Sequence, residues 1–140
     1  MTEVDDQHRQ APGGGRFTRD HRLLKHADFE RVYRQGRRHF AEHMTVFFQP
    51  REGGSGPRVG FTVSRALGGS VERNRIRRRL REAVRLNLKD LHAGVDVVIN
   101  PKKSAIDTEF TQLGKEVAEA FQKIEASAAR VARSSKGRES

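Results

Sequence analysis

Arginines are concentrated in one stretch of the chain, residues 70–91. A guanidinium group carries a permanent charge and a planar fork of donors, so it binds phosphate groups through paired hydrogen bonds. Only Glu72, Glu82 and Asp90 oppose this charge within the stretch, although a stable exposed helix usually alternates the signs of its charges. The imbalance favours contact with a polyanion such as RNA. A solvated basic face remains the alternative.

The same stretch has the pattern of an amphipathic helix. Apolar residues recur at spacings of three and four and must be buried against another element, namely Ile76, Leu80, Ala83, Val84, Leu88 and Leu91. Ser70 is predicted to be the N-cap, and Glu72 in the first turn suits the helix dipole. One flank of the apolar face carries Asn74, Arg77, Arg78, Arg81 and Arg85, and the other flank carries Arg75 and Arg79.

Composition narrows the class of protein. A chain of 140 residues is long enough for one domain with a sizeable core, and a net charge of +10 points to nucleic acid before a membrane surface or an acidic protein. There are no cysteines, which excludes disulfides and cysteine-ligated zinc. No apolar run approaches the roughly 20 residues that span a bilayer, and the N-terminus lacks the pattern of a signal peptide. We therefore expect a cytoplasmic protein.

The domain is predicted to occupy residues 21–125. Residues 1–20 are polar and broken by the run PGGG, which predicts a disordered N-terminal tail. Residues 126–140 are small and basic, which predicts a flexible C-terminal tail. Between the tails we expect a short helix over residues 22–36, closed by Gly36 as a C′ glycine, and a final helix from about Asp107.

Three strands are predicted, over residues 44–49, 58–65 and 95–100. The last is apolar almost throughout, as in a central strand covered on both faces, and residues 58–65 are its expected partner. The fold class is therefore α/β (α+β), a small single domain in which helices cover a mixed sheet.

One face of this sheet is predicted to be only weakly covered. In the first strand Met44, Val46 and Phe48 alternate with Thr45, Phe47 and Gln49, and in the second the weakly apolar side carries Gly60, Thr62 and Ser64. A face of small and polar residues around an aromatic ring is typical of a groove in which bases of single-stranded RNA stack. An ordinary solvated sheet face is equally compatible with the pattern.

Residues for catalysis are hard to find in the sequence. The six histidines are scattered, and His39 and His43 would share a face only in a helix, so no metal pair is expected there. No phosphate-binding GxxxxGK[ST] pattern is present, and Ser64 lacks an identifiable base and acid. These observations indicate a binding module.

Two segments carry a resemblance to a known family: the run RVGFTVSRALGGSVERNRIRRRLREAVR, and VVINPKKSA after it. In this order and spacing they resemble the protein subunit of bacterial ribonuclease P, over roughly residues 22–121. The family implies the fold of a ribosomal-protein domain, with a left-handed crossover between two parallel strands, although about 98% of such crossovers are right-handed. It also implies that a large catalytic RNA holds the metal ions and removes the 5′ leader of precursor tRNA.

The resemblance implies two partners, the catalytic RNA and the leader, with no membrane and no obligate protein partner. The protein itself would bind no cofactor, and the RNA-containing holoenzyme would require Mg²⁺. The residues implied to bind RNA are Arg65, Arg73, Asn74, Arg75, Arg77, Arg78 and Arg81. Those implied to line the leader cleft are Phe29, Tyr33, Phe47 and Ser64.

The chain departs from the family pattern at Arg65, where the family often has lysine after the serine. Arginine keeps the charge but can bind phosphate through two hydrogen bonds. Two alternatives remain open. One is a ribosomal-type RNA-binding or RNA-chaperone protein without a processing role. The other is a DNA-binding protein, although no helix-turn-helix spacing is evident.

Overall fold

The computed structural model describes residue 22 and residues 25–51 and 56–139, with side chains as far as residue 130. The predicted N-terminal tail lies outside these residues. The helices and strands in chain order are α1 (His26–Gln35), β1 (Arg37–Phe40), β2 (Met44–Pro50), β3 (Arg58–Phe61), α2 (Ser70–Asn87), β4 (Val95–Pro101) and α3 (Phe110–Glu139). None of the helices among the described residues is long and apolar enough to cross a membrane.

The strands form one mixed sheet in the order β1-β2-β4-β3. Strand β2 pairs antiparallel with both β1 and β4, whereas β3 and β4 are parallel. The predicted partnership of β3 with β4 is therefore confirmed, with α2 in the connection between them. The hand of this crossover stays a prediction.

The main core lies between one face of the sheet and helices α2 and α3. Alternate residues of β2 and β4 enter it with the apolar stripes of the two helices, among them Met44, Val46, Phe48, Val97, Ile99, Ile76, Leu80, Val84, Leu113, Val117, Phe121 and Ile124. The predicted alternation of β2 is confirmed, since Met44 and Val46 are fully buried and Phe48 is 6% exposed. A residue that faces the core from a strand is followed by one that faces away, which places the next residues on the opposite face.

Helix α1 covers that opposite face. Val32 and Val98 are both fully buried there, with Phe29 and Phe47 packed against them. Strand β4 is thus covered on both faces, as its apolar run predicted. The smaller cluster fixes α1 on the sheet and makes it one wall of the candidate site.

Three predicted ends of α1 and α2 were wrong. Helix α1 begins at His26, and Gly36 at its end is extended (φ −82°, ψ 171°) rather than left-handed. Glycine is needed at this position because a Cβ would lie 2.5 Å from the Val32 carbonyl oxygen and 2.7 Å from that of Phe48. Ser70 is the first helical residue of α2 and Gly69 is the N-cap.

The sheet and the last helix also differ from the prediction. Strand β1 was missed because its sequence, RRHF, has no strand-like apolar pattern and depends on its pairing with β2. Strand β3 ends at Phe61. Helix α3 does not end near Ala126 but continues to Glu139. Alanines 126, 128 and 129 favour a helix, and Ser127 is only 6% exposed, so packing still supports the helix there.

Candidate nucleic-acid interface

The apolar stripe of α2 orients its arginines. Because Ile76, Leu80 and Val84 are fully buried against the sheet and α3, the remaining faces of the helix turn towards solvent. Arg75 and Arg78 are exposed. The other predicted RNA-binding arginines of this helix are half-buried, namely Arg73, Arg77 and Arg81.

Asn74 has a positioning contact within this motif. Its side-chain oxygen accepts a hydrogen bond of 2.9 Å from Arg77 Nη1. The contact restrains the long arginine side chain before any ligand binds, which reduces the entropy that binding must remove.

Two further arginines of α2 have intramolecular roles. Arg79 donates to the carbonyl oxygen of Thr108 and so links α2 to the segment before α3. Arg85 donates to both carboxylate oxygens of Glu82, at 3.0 and 2.6 Å, and these hydrogen bonds raise the pKa of Arg85. Neither arginine was among the residues predicted to bind RNA.

Ser64 and Arg65 follow β3 and lead into α2. Both are exposed, and Arg65 begins a short 3₁₀ turn, Arg65–Leu67. Gly68 then has a φ of 140°, which side chains rarely adopt, and its N–H donates to the Arg65 carbonyl oxygen at 3.1 Å. This tight turn directly precedes the end of α2 that carries Arg73 and Arg75.

Tyr33 closes the cleft between α1 and the sheet. Its ring meets that of Phe47 edge to face, with the centroids 4.9 Å apart. Its hydroxyl donates to Asn100 Oδ1 at 2.9 Å and accepts from the Thr62 hydroxyl at 2.5 Å. The ring is 36% exposed and is held over the ends of the two parallel strands.

The other two predicted cleft aromatics are less open than expected. Phe29 and Phe47 are half-buried, because α1 seats Val32 on Val98 and both rings pack beside this contact. The Arg38 guanidinium lies 5.5 Å from the Phe47 ring centroid and adds a cation to this part of the cleft. Phe47 therefore combines a packing role with a position at the cleft.

Sequence reasoning missed a buried carboxylate that fixes α1. Asp96 Oδ2 accepts hydrogen bonds from Arg31 at 2.7 Å and from Arg58 Nη2 at 3.0 Å. Its Oδ1 accepts from Arg51 at 2.7 Å and from Arg58 Nε at 2.9 Å. Burial raises the pKa of Asp96, but the hydrogen bonds from these three arginines outweigh it and hold the pKa below its ordinary value. The only sequence signal was an aspartate inside an otherwise apolar strand.

His43 belongs to a second buried polar cluster, which joins the β1–β2 turn to α3. Its ring Nδ1 lies 2.6 Å from Glu116 Oε2, its backbone N–H donates to Oε1 at 3.0 Å, and Gln112 donates to Oε2 at 2.9 Å. Glu42 completes a group whose potential metal-ligand atoms lie within 4.8 Å of one another. Since both oxygens of Glu116 already have donors, we assign the cluster a structural role. His39 lies in β1 rather than on a helix with His43.

Comparisons with known proteins agree with this geometry. Residues 17–125 match the family model for Ribonuclease P. The chain is 39% identical over 108 residues to the ribonuclease P protein component of Citrifermentans bemidjiense, covering 77% of this chain and 91% of that one. It is 38% identical over 92 residues to that of Finegoldia magna, covering 66% and 80%.

Solved structures show the same fold. The RNase P protein from Thermotoga maritima superposes with a TM-score of 0.67 at 27% identity, covering 74% of this chain and 97% of that one. The RNase P protein of Staphylococcus aureus gives a TM-score of 0.64 at 29% identity, covering 74% and 94%. The matched region contains α1, the whole sheet and the arginine-rich helix α2. The chain belongs to the ribonuclease P protein family.

Proposed function

We propose that this protein is the RNA-binding subunit of a ribonuclease P holoenzyme, in which it assists a catalytic RNA in removing the 5′ leader from precursor tRNA. One observation carries the proposal. In a chain of this family, the turn at Arg65 joins the arginine array of α2 to a cleft lined by Tyr33 and Phe47. Side chains that can bind phosphates therefore lie next to aromatic rings on which unpaired bases can stack.

The side chains at this surface are suited to binding. Guanidinium groups supply donors and positive charge but no proton acceptor, and aromatic rings supply stacking faces. We assign bond cleavage and its magnesium ions to the RNA. Magnesium prefers phosphate oxygens and water as ligands, and a surface of arginines repels a cation.

The arginines act by neutralising phosphates. Folding two RNAs together brings phosphate charges close, and a free RNA must recruit magnesium ions to screen them. Fixed arginines, namely Arg65 with the exposed Arg75 and Arg78, replace part of this demand. The protein should therefore lower the magnesium concentration that cleavage requires.

The cleft has a different task, which is to distinguish precursor from mature tRNA. Only the precursor carries a single-stranded leader that can lie along the sheet beside α1. Stacking on Tyr33 and Phe47 requires no base-specific hydrogen bond, so preference among leader sequences should be weak.

Reconstitution tests the proposal. The full chain is mixed with a bacterial ribonuclease P RNA and a precursor tRNA, and initial cleavage rates are measured over a magnesium titration. We expect the protein to stimulate cleavage where the RNA alone is slow, and the double variant R75A/R78A to stimulate it less. Protein without RNA should not cleave. Specific cleavage by protein alone contradicts the division of labour, and RNA binding without stimulation identifies a ribosomal-type or chaperone protein instead.

A further inference from the structure

We propose that Phe40, together with Arg38, forms a further stacking site for a single-stranded nucleotide at the outer edge of the sheet, where the part of the leader furthest from the cleavage site binds. The inference rests on the proposed function and extends its cleft. It assigns a role to Phe40, an aromatic residue for which the resemblance to the family implies none.

Phe40 is exposed where a structural ring would be buried. It is 67% exposed at the end of the edge strand β1. The register pairs Phe40 with Thr45 and Arg38 with Phe47, so Phe40 and Arg38 both lie on the face of the sheet that α1 and the cleft occupy. A ring this exposed contributes little buried area to folding and offers its face to a ligand.

Phe40 ends a row of side chains that crosses the whole sheet. Thr45 pairs with Phe40 on one side and with Asn100 on the other. Thr62 comes next, since its N–H donates to the Ile99 carbonyl oxygen and its hydroxyl meets Tyr33 together with Asn100. Three gaps between strands correspond to about 14 Å. The row is long enough for a few nucleotides of an extended chain.

The row has an aromatic and a cation near each end. At the β3 end Tyr33 lies over Thr62 and Asn100, and Arg65 follows three residues later. At the β1 end Phe40 lies beside Arg38, which is exposed and placed over the Phe47 ring. Phe40 and Phe47 are diagonal neighbours on paired strands, at about 7–8 Å. Successive bases could therefore stack on the two rings.

Charge and chemistry identify the occupant as RNA. The residues of the row are uncharged and its flanking groups are cationic, which suits a phosphate backbone with exposed bases. The nearest acid in sequence is Glu42, whose carboxylate lies 3.9 Å from His43 Nε2. Arg37 on the same strand adds an exposed cation on the other face of the sheet.

One end of the row lies nearer than the other to the residues predicted to bind the catalytic RNA. The predicted RNA-binding residues of α2 and Arg65 lie at the β3 end, so nucleotides nearest the cleavage site should pass Tyr33 first. Only a leader long enough to cross the sheet reaches Phe40. The effect of Phe40 should therefore depend on leader length, whereas that of Tyr33 should begin with shorter leaders.

The test compares Phe40→Ala, Phe40→Leu and Phe40→Tyr in the reconstituted holoenzyme. Affinity is measured for mature tRNA and for precursors with leaders of about two and about eight nucleotides, and thermal unfolding of each variant is recorded. We expect Phe40→Ala and Phe40→Leu to weaken the long-leader precursor by about five- to 100-fold and to leave the other two RNAs unchanged. Phe40→Tyr should bind like the wild type. Leu86→Ala removes an apolar side chain that is 46% exposed on α2 and serves as the matched control.

Two outcomes overturn the site while the proposed function stands. In the first, the wild-type holoenzyme binds the long-leader precursor more tightly than the other RNAs, and the Phe40→Ala and Phe40→Leu holoenzymes keep the same preference. The other is an equal loss for all three RNAs, which would mean that Phe40 contacts the catalytic RNA or another part of the tRNA. A wild-type protein that neither stimulates cleavage nor distinguishes leader lengths would instead overturn the proposed function itself.

Discussion

Asp96 controls the position of α1 from within the sheet. A buried carboxylate costs free energy unless it is paired and hydrogen-bonded. Asp96 meets this condition through Arg31 of α1, Arg51 directly after β2, and Arg58 of β3. Arg31 also binds Asp28 at 2.9 Å. Asp96, which is not among the residues predicted to bind RNA, thus helps to fix the position of α1 beside the cleft.

Asp96→Asn should destabilise the protein by about 3 kcal/mol at neutral pH, because it leaves three guanidinium groups around a neutral side chain. Urea unfolding measures the change. Glu30→Gln is the matched control, since it breaks only the exposed pair with His26 and should cost under about 0.5 kcal/mol. Equal small effects of the two substitutions would show that the network contributes little to stability.

The same residue predicts a pH dependence. The folded-state pKa of Asp96 is lowered, so its stabilising contribution is present above the unfolded pKa of about 3.9 and is lost as pH falls through the folded value. The stability difference between wild type and Asp96→Asn should be constant at neutral pH and shrink below about pH 4. Free energies of unfolding measured over a pH series test this prediction. A stability difference that grows in acid would mean that the pKa of Asp96 is not lowered in the folded protein.

At the scale of elements, the junction of α1 with β1 and β2 has almost no free space. Gly36 lies where the carbonyl groups of Val32 and Phe48 converge, so the helix end touches the backbone of β2. Gly114, in contrast, lies within α3 with open space at its Cβ position. Substitution by alanine should therefore have opposite effects on stability at these two glycines.

Gly36→Ala should destabilise the fold by about 1–3 kcal/mol, since two backbone groups would have to move. Gly114→Ala should stabilise it by about 0.5–1 kcal/mol through helix propensity. Thermal unfolding of both variants checks the pair. Similar small shifts for both would mean that α1 is not closely seated on β2.

At the scale of the whole molecule, charge is distributed unevenly. The net charge of +10 includes arginines that are paired internally, such as Arg85 with Glu82, and arginines that face solvent, such as Arg75 and Arg78. Long-range attraction to RNA depends on the total, whereas the number of released counterions depends on the side chains that touch phosphates. Salt titration separates these two contributions.

Arg78→Ala should reduce the slope of log K for RNA binding against log salt by just under about one unit, from a total near −3.5 to −4.5 if about five arginines contact phosphates. Arg85→Ala, on the same helix, should change the slope much less because Glu82 already neutralises that charge. Filter binding of the catalytic RNA over a salt series measures both. Equal reductions would indicate nonspecific attraction in place of a defined interface.

The sequence by itself determined the elements whose signal is local. The apolar stripe of α2 and the alternation of β2 have periods that the chain displays directly, and Ile76, Leu80, Met44 and Val46 are buried as those periods predict. The family signature is equally local, because it lies in a few contiguous segments. The parallel partnership of β3 and β4 also followed, since two apolar strands joined through a helix favour that arrangement.

Only the tertiary structure decided which residues meet across the sheet. Arg31, Arg51 and Arg58 converge on Asp96 from distant parts of the sequence, and no periodicity encodes that meeting. The partial burial of Phe47 depends on the docking of α1, and the exposure of Phe40 depends on the pairing of β1, a strand without a strand-like sequence. Register and helix docking are set by the sum of many contacts over the whole domain, so they become visible only when the chain is folded.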